Sequence, residues 1–290
     1  MCAFSLKNLL RIALPGALFS LTACGPGPGP GMIAASEPLV GARPGHYKET
    51  EATELARGFS VHGVDVSKYQ GNVDWMAVHE GGVQFAYIKA TEGGDVIDPK
   101  FFQNWNGARA AGLPRGAYHF VYWCRPWQEE MAWFEHNVPP EPDALPPVLD
   151  VEATPTSHTC PRHLERAQTL REMKAMLTEM ERYYGKKPII YTTVDFHESI
   201  LYDNALAEYP IWIRSTKHHP RVRYGDRAWH FWQYQSDGWV RGIPTRVDRN
   251  AFYGDSKDWQ NWLKTNGFVA AGKGPSQGAG NNEALLPVSR

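Results

Sequence analysis

Two carboxylates separated by a single valine stand at Asp150-Val151-Glu152, directly after the apolar pair Val148-Leu149. Side chains alternate across a strand, so Asp150 and Glu152 face one way and Val151 the other. Two residues of strand set their Cα atoms roughly 6.6 Å apart, near enough for one charge to raise the pKa of the other. Hydrolysis of a glycosidic bond needs such a pair, one group protonated near neutral pH and one ionised. The plainer alternative is a strand end whose two acids are merely solvated.

The elements around the pair must position it. Strands are expected at Val61–Val66, Gln84–Ala90, Arg115–Val121, Pro147–Glu152, Pro188–Thr193, Ile211–Arg214, His230–Tyr234 and near Thr245–Arg249. Helices are expected at Val73–Glu80, Pro99–Ala111, Trp127–Asn137 and Pro161–Tyr184. The last shows Leu164, Ala167, Leu170, Met173, Leu177 and Met180 at helical spacing, with Pro161 suited to the first turn. This alternation predicts an α/β fold, a modified TIM-like barrel of eight parallel strands whose helices thin out in the second half. Chemistry in such barrels sits at the carboxyl ends of the strands. Asp150 and Glu152 end the fourth expected strand, and Asp65, Tyr118, Tyr191 and Asp248 stand near the ends of others. Singly, each reads as readily as a structural acid or a core tyrosine.

The first residues carry an address. Lys7 and Arg11 precede or enter an apolar stretch that closes on Leu21-Thr22-Ala23-Cys24, which resembles a bacterial lipoprotein signal. The resemblance implies cleavage after residue 23, acylation of Cys24, and a chain anchored to a membrane surface in the cell envelope. An ordinary secretory signal is the alternative. Without residues 1–23 the chain has 28 basic and 31 acidic residues, a balance that argues against nucleic acid as partner. Residues 24–60, opening with a Gly/Pro repeat, are expected as a tether, 61–266 as one domain, and 267–290 as a disordered tail. Eleven tryptophans and thirteen tyrosines, mostly in the central block, point to a large aromatic core or a sugar-binding surface. Cys124 and Cys160 follow the third and fourth expected strands, which are neighbours in such a barrel. In an oxidising compartment that placement predicts a disulfide, with two separate thiols as the alternative. No metal site and no cofactor are expected, and the domain is expected to be a monomer.

Taken together, Asp65-Val66-Ser67 with Gln70, Lys89-Ala90-Thr91-Glu92-Gly93, Gly116-Ala117-Tyr118-His119-Phe120, Leu149-Asp150-Val151-Glu152, Ile190-Tyr191-Thr192, Trp232-Gln233-Tyr234 and Val247-Asp248-Arg249-Asn250 resemble glycoside hydrolase family 25. The resemblance runs from Val61 to about Leu263, in the family's motif order. It implies a lysozyme (N-acetylmuramidase) acting on peptidoglycan glycan strands, with retention of configuration. It implies Glu152 as general acid/base, Asp150 and Asp65 as further catalytic acids, and Asp248 as the carboxylate completing the groove. Tyr118, Tyr191 and the run Trp232, Gln233, Tyr234 would bind sugar. Asp150, ionised, would act as nucleophile or steady the substrate's 2-acetamido group. The stretch from Arg214 to Pro220 departs from the family pattern and reads as a solvated basic loop, with tuning of substrate choice as the alternative. A chitinase-like barrel lacks its longer run of alternating acids here, and a wall-binding protein without turnover is the remaining rival.

Overall fold

Period-2 apolar runs alternate with amphipathic helices and close into an α/β barrel, seen in a computed structural model that describes residues 49–154, 160 and 164–268. The expected signal, Cys24, the tether up to residue 48 and the tail from residue 269 lie outside the described residues. The elements are α1 (Glu51–Ala56), β1 (His62–Val66), α2 (Trp75–Glu80), β2 (Phe85–Glu92), β3 (Val96–Ile97), α3 (Phe101–Ala110) and β4 (Arg115–Phe120). There follow α4 (Trp127–Asn137), β5 (Val148–Val151), α5 (Arg166–Tyr184), β6 (Ile189–Thr192), α6 (Val194–Phe196) and β7 (Ile211–Arg214). Finally come α7 (Pro220–Tyr224), β8 (Phe231–Gly238), β9 (Val247–Phe252) and α8 (Ser256–Thr265).

Strands β1, β2 and β4 to β8 run parallel, and a β1–β2 pairing helps close the ring. The eighth barrel strand, β9, corrects the all-parallel expectation, because it runs antiparallel to both β8 and β1. A parallel return needs a crossover of about a dozen residues or more, and the stretch from Gly238 to Val247 is too short for one. The small strand β3 pairs back on β2 outside the ring.

Helix α5 begins at Arg166, where the Glu165 side chain accepts from the Ala167 and Gln168 amides. It ends at Gly185, whose φ of 62° is the left-handed turn that favours glycine. Four helices were not expected: the short α6 and α7 between the later strands, and α1 and α8. α1 falls within the segment expected as tether, capped by Thr50 and held to the barrel by the Ala52 amide on the Lys217 carbonyl at 3.2 Å. α8 starts on Asp255, which caps two amides, and buries Trp259 and Leu263 against Phe85, Phe231 and Phe252. Those aromatics lie at the amino ends of the parallel strands, so α8 stoppers the floor of the barrel. Above the floor, rings from several strands fill the interior, among them Tyr87 on β2, Tyr191 on β6 and Trp212 on β7, and glycine makes the room. A Cβ at Gly63 would meet the Phe85 ring at 2.4 Å, and one at Gly116 would meet Tyr87 at 2.2 Å. The aromatic wealth of the sequence is thus mainly core.

Candidate active site

Inward-facing positions alternate up each strand, and their last layer forms a cleft of about 350 Å³ at the carboxyl end of the parallel strands. Asp65, Lys89, Tyr118, Asp150, Glu152, Tyr191, Trp212, Arg214, Gln233 and Asp248 line it, with Tyr69 at its rim. Asp65, the last residue but one of β1, lies directly opposite Asp248, the second residue of the antiparallel β9. The reversal of β9 is what brings its amino end to the mouth. Asp248 therefore opens its strand, and does not close it as expected.

Asp65 is held by three hydrogen bonds. The Asn250 amide donates to Oδ2 at 2.7 Å, and the Gln233 amide to Oδ2 at 3.1 Å and Oδ1 at 3.3 Å. The orientation of both amides is dictated by their other partners. The indole N–H of Trp212 donates to Asn250 Oδ1 at 2.9 Å, and an indole nitrogen only donates. The Tyr191 hydroxyl donates to Gln233 Oε1 at 3.0 Å. Each carbonyl is thereby engaged, leaving each NH₂ aimed at Asp65.

Asp150 lies on the inner face of β5, buried, with one carboxylate oxygen lacking any hydrogen-bond partner. Glu152 follows one residue past the strand end. Its backbone carbonyl accepts the Trp123 indole N–H at 2.9 Å, and Trp123 stacks on Phe196 at 5.4 Å. The next residue, Cys124, is disulfide-bonded to Cys160 with a Cα separation of 5.5 Å. The expected bridge is present, and it joins the loops that follow β4 and β5.

Burial raises all four acids. It pushes Asp65 up to about 6, against the Asn250 and Gln233 hydrogen bonds. It pushes Asp248 up to about 8, with the charge on Asp65 adding and Arg214 opposing. Burial and then the Glu152 charge drive Asp150 well above the usual carboxylate range, with Lys89 opposing. Glu152 is raised by burial and pulled back by Arg214 and Lys89. The expected division, Glu152 protonated beside an ionised Asp150, therefore needs qualification. The stronger upward push falls on the more deeply buried Asp150, so the two compete for a proton.

Of the residues expected to bind sugar, Tyr118, Tyr191, Gln233 and Asp248 line the cleft. Trp232 and Tyr234 do not, which corrects the expectation. They flank the inward Gln233 on β8 and so face outward, 0% and 2% exposed. Trp232 donates to the Ser215 carbonyl at 2.8 Å and packs on Phe59 and Trp229, while the Tyr234 hydroxyl meets His62 at 3.2 Å. Arg214 is a second correction. It is the last residue of β7 and lines the cleft, so the basic stretch is not wholly a solvated loop.

Lys89, Trp212 and Tyr69 were missed as site residues, and Arg214 was named only as part of a stretch read chiefly as solvated. For Trp212 and Arg214 the signal was available, because they share the inner face of one strand. For Lys89 it was available too, because Phe85, Tyr87 and Lys89 alternate on the inner face of β2, and the register irregularity between Lys89 and Thr91 interrupts that alternation only beyond Lys89. Thr91 is thereby turned outward to His119 at 2.7 Å, which in turn meets the buried Glu130 at 2.9 Å. Lys89 and Glu92 come together as an ion pair. No group of three or more His, Cys, Asp or Glu among the described residues is placed to hold a metal ion.

Residues 64–243 match the family model described as glycosyl hydrolases family 25. YegX of Escherichia coli K12, described as uncharacterized, is 35% identical over 219 residues, 73% of this chain and 76% of that protein. Lysozyme M1 of Streptomyces globisporus is 33% identical over 210 residues, 68% of this chain and 69% of that protein. A family 25 glycosyl hydrolase from Bacillus anthracis has a similar structure, with a TM-score of 0.67 at 33% identity, covering 76% of this chain and 99% of that one. A bacterial lysozyme from Streptomyces coelicolor gives a TM-score of 0.64 at 31% identity, covering 72% and 99%.

Proposed function

The chain belongs to glycosyl hydrolase family 25 and is a glycoside hydrolase; from that premise we propose that it cuts the β-1,4 bond from N-acetylmuramic acid to N-acetylglucosamine in peptidoglycan, with retention. The observation that supports this best is the pairing of Asp150 and Glu152 at one strand end, inside a cleft that also holds Asp65 and Asp248. In this reading Glu152 protonates the departing glycosidic oxygen and later takes a proton from water. Asp150 faces the positive charge that develops at the anomeric carbon. Asp65 is fixed in place by Gln233 and Asn250 and supplies negative potential across the cleft, while Asp248, protonated below about pH 8, can donate a hydrogen bond there. Tyr118 and Tyr191 bound the sugar, and the exposed ring of Tyr69, 72% accessible at the rim, offers a stacking face.

Purified peptidoglycan digested with the chain and then reduced with borohydride tests the bond. Muramitol as the new end supports the proposal, whereas glucosaminitol as the only new end would refute it. The first-formed anomer, followed by NMR, tests retention. The site would act at a membrane surface in the cell envelope if Cys24 is acylated. Cys24→Ala is then expected to release the chain from the membrane fraction, and retention there by the variant would refute the anchor.

A further inference from the structure

Two cations line the cleft, and they differ in one respect. Lys89 is engaged with Glu92, which also accepts from the Tyr122 hydroxyl. Arg214 forms no ion pair and donates no side-chain hydrogen bond among the described residues. Asp65, one of the carboxylates whose charge Arg214 offsets, already accepts from Gln233 and Asn250. Trp212, two residues earlier on the same inner face, is committed to Asn250. Arg214 is half-buried, its backbone is fixed by the Tyr224 hydroxyl donating to its carbonyl at 2.7 Å, and its guanidinium lines the cleft within the field of Asp65, Asp248 and Glu152 but hydrogen-bonded to none of them. A guanidinium fork matches a carboxylate in shape and charge. β7 stands two strands from β5, roughly 10 Å along the wall at ordinary strand spacing, which puts the fork one sugar's reach from Glu152.

We infer that Arg214 reads a carboxylate on the sugar next to the scissile bond, so that the preferred substrate is a glycan whose muramic lactyl groups are free acids. This rests on the proposed muramidase reading and narrows it. A lactyl group still joined to stem peptide is a neutral amide and cannot form the charged pair. The class of reaction that must supply the substrate is therefore amide hydrolysis: water adds at the lactyl carbonyl, the peptide leaves as an amine, and the carboxylate remains.

The test uses the full chain and one glycan preparation in three forms. The first bears peptide, the second is stripped to free lactyl acids, and the third is stripped and capped as the neutral methylamide. Wild type is expected to show kcat/KM about tenfold or more higher on the free acid than on either neutral form, the range of one charged hydrogen-bonded contact. Arg214→Gln is expected to bring the acid-to-methylamide ratio close to one, and Arg214→Lys to restore part of it. If Arg214 merely biases the ionisation of the neighbouring acids, Arg214→Gln lowers both rates by one factor and leaves the ratio intact, which overturns the inference. Equal wild-type rates on acid and methylamide, or a preference for peptide-bearing glycan, overturn it as well. Wild type that releases reducing ends from none of the three overturns the muramidase reading itself, and this inference with it.

Discussion

Glu152 stands just beyond the last paired residue of β5, so its carbonyl depends on a side chain to hold it, and that side chain is Trp123. Trp123→Phe removes the donor while keeping an aromatic face toward Phe196. A neutral hydrogen bond contributes about 1 kcal/mol, and the smaller ring leaves a cavity worth about as much again. For a barrel of this size, roughly 2 kcal/mol corresponds to a fall in Tm of about 4–8 °C. The catalytic effect should be larger than the stability loss implies, because a shift of about 1 Å in a catalytic group can cost on the order of 10²-fold. We expect kcat to fall about 10–100-fold with KM changed by less than about threefold, since Trp123 lies behind Glu152 and away from the sugar. Reducing-end release from saturating glycan, measured well below both melting temperatures, reads this directly. Phe196→Leu provides the comparison, losing stability by a similar route while leaving the indole donor in place. If both variants lose stability alike and both keep kcat near wild type, Trp123 is core and not a positioning residue.

Three further outcomes follow from the geometry. Glu152→Gln removes the proton donor from a partly exposed position, so kcat should fall about 10²–10⁴-fold with little change in Tm, and wild-type turnover would remove Glu152 from the mechanism. Lys89 holds down the pKa of both Asp150 and Glu152, so Lys89→Met should move the basic limb of the kcat/KM profile to higher pH; an unmoved or lowered limb would contradict its placement. Asp248 is raised from 3.8 to about 8 in the fold, so its contribution to stability is full below pH 3.8 and lost as pH rises through about 8. Asp248→Asn should therefore gain Tm relative to wild type between about pH 4 and pH 8, and parallel Tm curves would refute the assignment.

Alternation alone explains much of what the sequence disclosed and what it hid. It placed Asp150 with Glu152, and applied to Trp232-Gln233-Tyr234 it would have kept Gln233 and sent its neighbours outward. It also runs from Phe85 and Tyr87 up to Lys89, but it could not turn Thr91 outward, because an irregular register within a strand leaves no mark in residue type. The large helices were legible from apolar spacing, with α4 spanning Trp127–Asn137 as expected. Of the missed helices, α6 and α7 are only three and five residues long, while α1 and α8 lie outside the repeating strand–helix rhythm. The latter two are recognisable chiefly by their caps, Thr50 and Asp255, and by the tertiary surface they cover.

The direction of β9 was the least legible feature, and half of the acid cluster depends on it. Asp150 and Glu152 are neighbours in sequence and would share a face in any strand. Asp65 and Asp248 come from opposite ends of the domain and meet only when β1 pairs with β9. Burying a carboxylate without partners costs several kcal/mol, so closure at that seam requires donors as well as apolar contact. They come from the adjoining strands: Gln233 on β8 and Asn250 on β9, oriented by Tyr191 on β6 and Trp212 on β7. A parallel eighth strand entering from the barrel floor would carry Asp248 away from the mouth and Asn250 toward it. The antiparallel strand instead sets Asn250 one layer down, beneath the mouth, where Trp212 can orient it. The same four side chains therefore hold the barrel seam shut and hold Asp65 in the cleft, which is why closure of the fold and assembly of the site are one event.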